Sequence, residues 1–276
     1  MYRNILAAIN EHVNSEIAAR YALSFAKQAN ARICFCTIGE NKGIAGKDFH
    51  MAEEAVKRLS SRARELGVPS DCIFKTGDPF VQLSEVSVAE NIDLVFAATR
   101  HEDVEKRFYA RTTAKRLLLS LPCSVALVRV VHMGRIHPQE ILVPLKANIN
   151  HISDRAEFTA LLANAFGAKV HLFHVTKPMK KFFRGEIHLT PAEWAEKIPP
   201  DISSFIDHID SHRVVYEKRL ITGRTGRTIA IEAAVRRRDL IIMGASERGH
   251  LDFRLRGSPV EEVLRDTPCN LIIFKP

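Results

Sequence analysis

The chain has 276 residues, 46% of them apolar and 26% charged, with 13 Gly and 12 Pro; that balance belongs to a folded protein and excludes a disordered, collagenous or disulfide-scaffold chain. Forty Lys and Arg against 32 Asp and Glu leave a net charge of +8, a field that favours anionic partners without choosing among nucleic acid, anionic lipid and phosphorylated metabolites. At roughly 100 to 200 residues per domain, the length suggests two domains.

Apolar runs alternate with helical patterns from the start. Strands are expected at 3–9, 31–37, 71–76, 93–98 and 124–130, then again at 140–145, 169–175, 214–221, 239–244 and 270–275. Helices of the second series are expected near 153–166, 201–211, 226–237 and 257–266, the third carrying an apolar stripe of Ile229, Ala230, Ala233 and Ala234 and closing on Arg236, Arg237 and Arg238. Such alternation predicts an α/β fold, a parallel sheet with helices on both faces.

The two series are copies. Ile5–Ile9 and Ile141–Leu145 are 136 apart, and Arg32–Cys36 and Lys169–Phe173 are 137 apart. From Thr76-Gly77 and Thr222-Gly223 onward the spacing is 146, through Asp93-Leu94 and Asp239-Leu240 to Cys123 and Cys269. Nine extra residues of the second copy therefore lie around 177–213. The expected organisation is a first domain at 1–130, a linker at 131–138 containing Gly134 and Pro138, and a second domain at 139–276.

Open α/β sheets bind ligands beyond the carboxyl ends of their strands, where strand order reverses. In the second copy this points to Leu145 and Lys146 after the first strand, Val175 at the end of the second, and the loop after the fourth. That loop reads Gly244-Ala245-Ser246-Glu247-Arg248-Gly249 and runs to Arg256-Gly257-Ser258-Pro259. Gly244 permits a tight strand exit, while Gly257 and Ser258 stand where a helix would open, with free amides and a positive dipole end suited to an anion.

The tandem five-strand pattern, with GASERGHLDFRLRGS followed by TPCNLIIF, resembles the universal stress protein family. Its nucleotide-binding members carry G-x2-G-x9-G-[ST] at this place. Gly244, Gly257 and Ser258 match that motif; Glu247 stands in place of the middle Gly, and Arg248, Arg254 and Arg256 flank the loop. The first copy has Ala98, His101, Arg111 and Thr112 at these positions. Where those members carry an adenosine-contacting Asp, this chain has Asn10 and Lys146.

The resemblance implies two open five-stranded sheets of the adenine nucleotide alpha hydrolase-like, Rossmann-like type. Their last strands, Val125–Val130 and Asn270–Phe274, are expected to meet in an intrachain pseudo-dimer. It further implies a non-catalytic stress-response or regulatory protein with no obligatory cofactor and at most one ligand site. That site lies in the second domain, with ATP, AMP or another small anion as the candidate ligand and Leu145, Lys146, Val175, Gly244, Ser246, Glu247, Arg248, Gly257 and Ser258 as its residues. A protein partner and a second copy of the chain are the candidate assemblies.

Other readings are weaker. Thr222–Thr228 lacks the G-x4-G-K-[ST] of a P-loop, and its match to Thr76-Gly77-Asp78-Pro79 makes it a strand-to-helix turn with Thr225 as the expected N-cap. His171 and His174 fall on opposite faces of one strand, which argues against a shared metal. The five Cys form no C-x2-C pair and read as reduced thiols of a cytoplasmic protein, Cys34 and Cys36 as core residues. No apolar run reaches the 18 to 20 or so residues of a membrane span and no secretory signal is apparent, so no membrane insertion is expected. Lys177, Lys180, Lys181 and Arg184 surround Phe182-Phe183 in the inserted stretch, which also holds Trp194, and it reads as a surface loop.

A nucleotide-dependent hydrolase or transferase would need a glycine-rich loop after the first strand, and neither Asn10–Asn14 nor Lys146–Asn150 contains Gly. A nucleic-acid-binding protein is the reading prompted by charge alone. Yet Ser211–Arg256, with eleven basic residues against five acids, holds +6 of the +8, which points to a small anion and not to a nucleic acid.

Overall fold

The computed structural model describes residues 2–39, 47–99, 113–176, 198–222, 225–245 and 259–276. It divides into two compact units, one of Met1–Ile136 with Ile272–Pro276, the other of His137–Leu271.

The first unit runs β1 (Asn4–Ile9), α1 (Val13–Ala29), β2 (Arg32–Gly39), α2 (Lys47–Glu65), β3 (Ser70–Thr76), α3 (Pro79–Ala89), β4 (Leu94–Ala98), α4 (Thr113–Ser120) and β5 (Ser124–Arg129). Its strands lie in the order β3-β2-β1-β4-β5. They are parallel, with Leu6 level with Cys34 and Ala7 level with Phe96. Strands covered on both faces need continuous apolar runs, and Ile5, Leu6, Ala7, Val95 and Phe96 are fully buried. Helix α1 buries Ala18, Tyr21, Ala22 and Phe25, and the Phe25 ring sits 5.8 Å from Phe96 and 5.3 Å from Tyr2. Asp78 caps α3 through Val81 N–H at 2.9 Å.

The second unit runs β6 (Glu140–Leu145), α5 (Ile152–Phe166), β7 (Lys169–Thr176), α6 (Pro200–Ser211), β8 (Tyr216–Thr222), α7 (Thr225–Val235), β9 (Leu240–Gly244), α8 (Pro259–Asp266) and β10 (Asn270–Lys275). Its strands follow β9-β6-β7-β8, again parallel, with β10 starting beside β9. Residues Ile272–Lys275 of β10 pack with the first unit, where Lys275 Nζ donates to the carbonyls of Leu121 at 2.7 Å and Cys123 at 3.1 Å, just past α4.

One device recurs in both units and explains a repeated acid. Asp93 accepts from Arg3 N–H and Asn4 N–H at 2.7 and 2.8 Å; Asp239 accepts from Gln139 N–H and Glu140 N–H at 2.9 and 3.1 Å. Each carboxylate fastens the start of its unit's first strand to the start of the fourth, meeting amide donors that the ladder leaves over.

Helix α7 departs from the expected pattern. Its buried residues are Gly226, Ile229, Glu232 and Ala233, whereas Ala234 is exposed. The helix ends at Val235 because Arg237 turns left-handed, with φ 50°. Arg237 and Arg238 N–H then return to the carbonyls of Ala234 and Ala233, so the three arginines form the cap and not the last turn. Thr225 is the first helical residue, not the N-cap. Gly226 lets α7 approach α8: a Cβ there would lie 2.3 Å from Glu262 Oε2 and 2.8 Å from Glu262 Cβ.

The basic surplus is also more dispersed than its clustering in sequence suggests. Arg238 Nη1 meets Glu140 Oε2 at 2.5 Å, and Arg219 Nη1 lies 3.1 Å from buried Glu232. Arg236–Arg238 stand at the amino end of β9, opposite the candidate ligand site. At the same end His171, 4% exposed, places Nε2 2.5 Å from Glu140 Oε2 and Nδ1 3.3 Å from Glu217 Oε2. Lys169 pairs with Glu217. Cys34, Cys36 and Cys269 are buried, which pushes each thiol up to about 12. No helix among the described residues is long and apolar enough to cross a membrane.

Candidate functional site

In the second unit strand order reverses at β6, which has β7 on one side and β9 on the other. The carboxyl ends of these three strands bring Leu145, Lys146, His174, Val175, Gly244 and Ala245 to one end of the sheet. His174 is level with Leu145, and its Nδ1 donates to the Leu145 carbonyl at 2.9 Å. Leu145, Val175 and Gly244 are half-buried and Lys146 is exposed.

The loop from β6 into α5 is held by unusual backbone conformations. Asn148 and His151 are left-handed, with φ of 60° and 50°; Asn tolerates this better than most residues. Between them Ile149 is buried, and its N–H donates to Asp201 Oδ2 at 2.8 Å, in the first turn of α6. His151 Nδ1 lies 3.3 Å from Asp154.

Arg155, in the first turn of α5, is the main residue that sequence reasoning missed. Half-buried, it donates from Nη2 to the Ala245 carbonyl at 2.9 Å. A Cβ built on Gly244 would lie 1.7 Å from its Nη1, 2.5 Å from Cζ and 3.1 Å from Nη2. The whole guanidinium therefore rests against the bare α-carbon at the exit of β9. A signal was present: aligned on the helix caps Asn30 and Gly167, Arg155 corresponds to Ala18, as Gly244 corresponds to Ala98. An Ala–Ala pair in one copy is an Arg–Gly pair in the other.

Of the residues expected at this site, Leu145, Lys146, Val175 and Gly244 are brought together at the strand ends. Ser246, Glu247, Arg248, Gly257 and Ser258 lie outside the described residues, as do residues 177–197 of the stretch 177–213 that holds the insertion and the first copy's His101, Arg111 and Thr112. Among the described residues, no group of three or more His, Cys, Asp or Glu is placed to hold a metal ion.

The corresponding loop of the first unit is tied by its own side chains. Ser15 Oγ, 2% exposed, donates within reach of the carbonyls of His12 at 2.8 Å and Asn10 at 3.1 Å and accepts from Asn10 N–H, while Asn10 Oδ1 accepts from His12 N–H. Asn10 thus acts as a turn residue here.

Comparison with known proteins agrees with the repeat. The model of the universal stress protein family matches residues 1–129 and again 139–275. A universal stress protein of Staphylococcus epidermidis is 22% identical over 156 residues, which cover 52% of this chain and 93% of that protein. Among solved structures, a universal stress protein from Archaeoglobus fulgidus superposes with a TM-score of 0.64 at 17% identity, covering 98% of this chain and 95% of that one. A functionally unknown protein from Pseudomonas aeruginosa PAO1 gives 0.65 at 16% identity, covering 100% and 93%. These likenesses establish the fold.

Proposed function

The chain belongs to the universal stress protein family, whose domain it carries twice, and on that premise we propose that it is a non-catalytic regulatory protein whose second domain binds an adenine nucleotide or another small anion. The observation that carries this reading is the chemistry at the ends of β6, β7 and β9. Lys146 and Arg155 bring two cationic side chains to the carboxyl end of the sheet, Arg155 against Gly244 and the Ala245 carbonyl, where open α/β sheets take ligands. An anion is the complement of such a set.

The two domains, 1–130 and 139–276 with 131–138 between them, divide the work unequally. In the first, Ser15 and Asn10 close the loop where a ligand would enter; the second keeps Gly244 and the cations. We place the protein in the cytoplasm, in keeping with core thiols that burial holds protonated, and its output is an altered affinity for a protein partner or a second copy of the chain.

Titration calorimetry with ATP, ADP, AMP and pyrophosphate at millimolar concentration tests the reading. Heat with at least one of them is expected, without steady release of phosphate from ATP. An absence of heat with all four overturns the ligand-binding function, and sustained turnover overturns the non-catalytic one.

A further inference from the structure

We propose that the amino end of the second sheet is a docking surface for an acidic protein segment, held by Arg213 and Arg237 with Val215 and Val235 beside them. This rests on the reading above that the output passes to a protein partner, and adds where that partner docks and what chemistry it carries.

Two helix ends differ between the copies in a way that folding does not call for. Helices α2 and α3 of the first unit are followed by Gly67 and Asn91, left-handed with φ of 69° and 49°; these residue types tolerate that conformation. At the equivalent positions, 146 residues on, α6 and α7 are followed by Arg213 and Arg237, with φ of 55° and 50°. The backbone hydrogen bonds match within each pair. Gly67 and Arg213 N–H donate to the carbonyls of Arg64 and Asp210, and Asn91 and Arg237 N–H to those of Val88 and Ala234. One turn geometry is kept, and twice a residue suited to it is exchanged for one that is not. A cation within the last helical turn would serve the helix dipole as well, without that strain.

Both arginines are exposed, and neither side chain has a hydrogen-bond or ion-pair partner among the described residues. The carboxylates at this end of the unit are engaged elsewhere: Glu140 with Arg238 and His171, Glu217 with Lys169, Asp239 with backbone amides and Asp210 with the Tyr216 hydroxyl. Val215, 67% exposed, and Val235, 71% exposed, stand two residues from the arginines. Each turn therefore couples an unpaired guanidinium with an uncovered aliphatic side chain.

Strands β6 and β7 lie between β8 and β9, and three inter-strand steps of about 4.8 Å place the two turns roughly 14 Å apart across the sheet. One small anion does not span that distance; an extended chain does so with about five residues, at ~3.3 Å each. A guanidinium fork matches a carboxylate through paired hydrogen bonds. The two valines favour a peptide with apolar residues among its acids over the phosphate backbone of a nucleic acid.

Fluorescence anisotropy of the full chain with a fluorescein-labelled peptide of alternating glutamate and valine pairs, about 12 residues long so as to span both turns, tests the surface. Wild type is compared with Arg213→Gly/Arg237→Asn and with Arg213→Gln/Arg237→Gln, and duplex DNA is titrated in parallel. The wild type is expected to bind the peptide, and both variants to bind it at least tenfold more weakly. Arg213→Gly/Arg237→Asn restores the turn residues of the first unit, so its urea midpoint should equal or exceed that of wild type, which separates lost docking from lost folding. Arg213→Gln/Arg237→Gln keeps a polar side chain at each turn and removes only the charge.

Equal affinity of the wild type and both variants for the peptide overturns the docking surface while leaving a protein partner in place. No binding of the peptide by the wild type overturns the acidic chemistry as well. A lower urea midpoint in Arg213→Gly/Arg237→Asn assigns the arginines to folding and overturns the proposal. So does duplex DNA that binds the wild type more tightly than the peptide, since the surface then serves a nucleic acid. The ligand-binding reading is decided separately, by the nucleotide titration.

Discussion

Replacing Gly244 with Ala sets two physical effects against each other, and the structure says which one wins. Gly244 does not adopt the left-handed backbone that demands glycine; on backbone grounds alone the substitution should stabilise by about 0.4–1 kcal/mol, through the unfolded chain. The new methyl, however, would stand 1.7 Å from Arg155 Nη1, a distance no real contact survives. The guanidinium, the far end of a flexible side chain, must move aside, giving up its bond to the Ala245 carbonyl, worth about 1.5–3 kcal/mol for a charged donor. The net expectation is a loss of roughly 0.5–2.5 kcal/mol. In an Arg155→Ala background the same change should be neutral or slightly stabilising, which makes the coupling between the two positions about 1.5–3 kcal/mol. Urea unfolding of the four proteins, followed by circular dichroism and by the single tryptophan of the second copy, Trp194, measures the cycle. Equal effects of Gly244→Ala in both backgrounds, or stabilisation with Arg155 present, would refute the reasoning.

Gly226→Ala should destabilise the second unit by about 1–3 kcal/mol, because the methyl meets Glu262 Cβ at 2.8 Å as well as its carboxylate; a urea midpoint at or above that of the wild type would contradict this. Lys275→Met leaves the carbonyls of Leu121 and Cys123 without their ammonium donor. It should lower stability by about 1–3 kcal/mol, and thermal unfolding identical to wild type would count against it. Burial first, and Arg238 second, lower the pKa of His171, against the pull of Glu140 and Glu217. The unfolded imidazole takes its proton near pH 6.5, before the folded one does. The stability His171 contributes is therefore complete above that pH and is lost as pH falls through its lowered folded value. His171→Gln should flatten the decline in urea midpoint from pH 7.5 to 5.5, and parallel declines in the two proteins would remove the assignment.

The tandem fold was legible because each strand needs an apolar run of β-formers and each run recurs at a fixed offset. The start of the second unit's first helix, expected at 153, lies at Ile152, and the strand expected at 239–244 spans Leu240–Gly244. Helix ends were less legible: Arg237, a residue with no special taste for the left-handed region, ends α7 two residues before the periodicity runs out. Asp93 and Asp239 were visible as a repeat, but their role needed the geometry, since amides at one strand's start and a carboxylate at another's are about 90 to 100 residues apart. Arg155 was the least legible. Its meaning depends on Gly244, 89 positions later, and only the exchange of Ala–Ala for Arg–Gly between copies hints at it.

Residues Ile272–Pro276 fold with the first unit although synthesis reaches them 136 residues after that unit's main segment ends at Ile136. At about 5–20 residues per second the delay is roughly 7 to 27 s. Throughout it, β5 waits with an unpaired outer edge, a surface prone to capture by another nascent chain. Dividing the protein at the internal repeat, a natural choice for anyone wanting the first domain by itself, makes that waiting state permanent. A fragment of residues 1–136 would lack the Lys275 ammonium that binds past α4 as well as the strand that covers β5, so its behaviour would report on an unfinished domain.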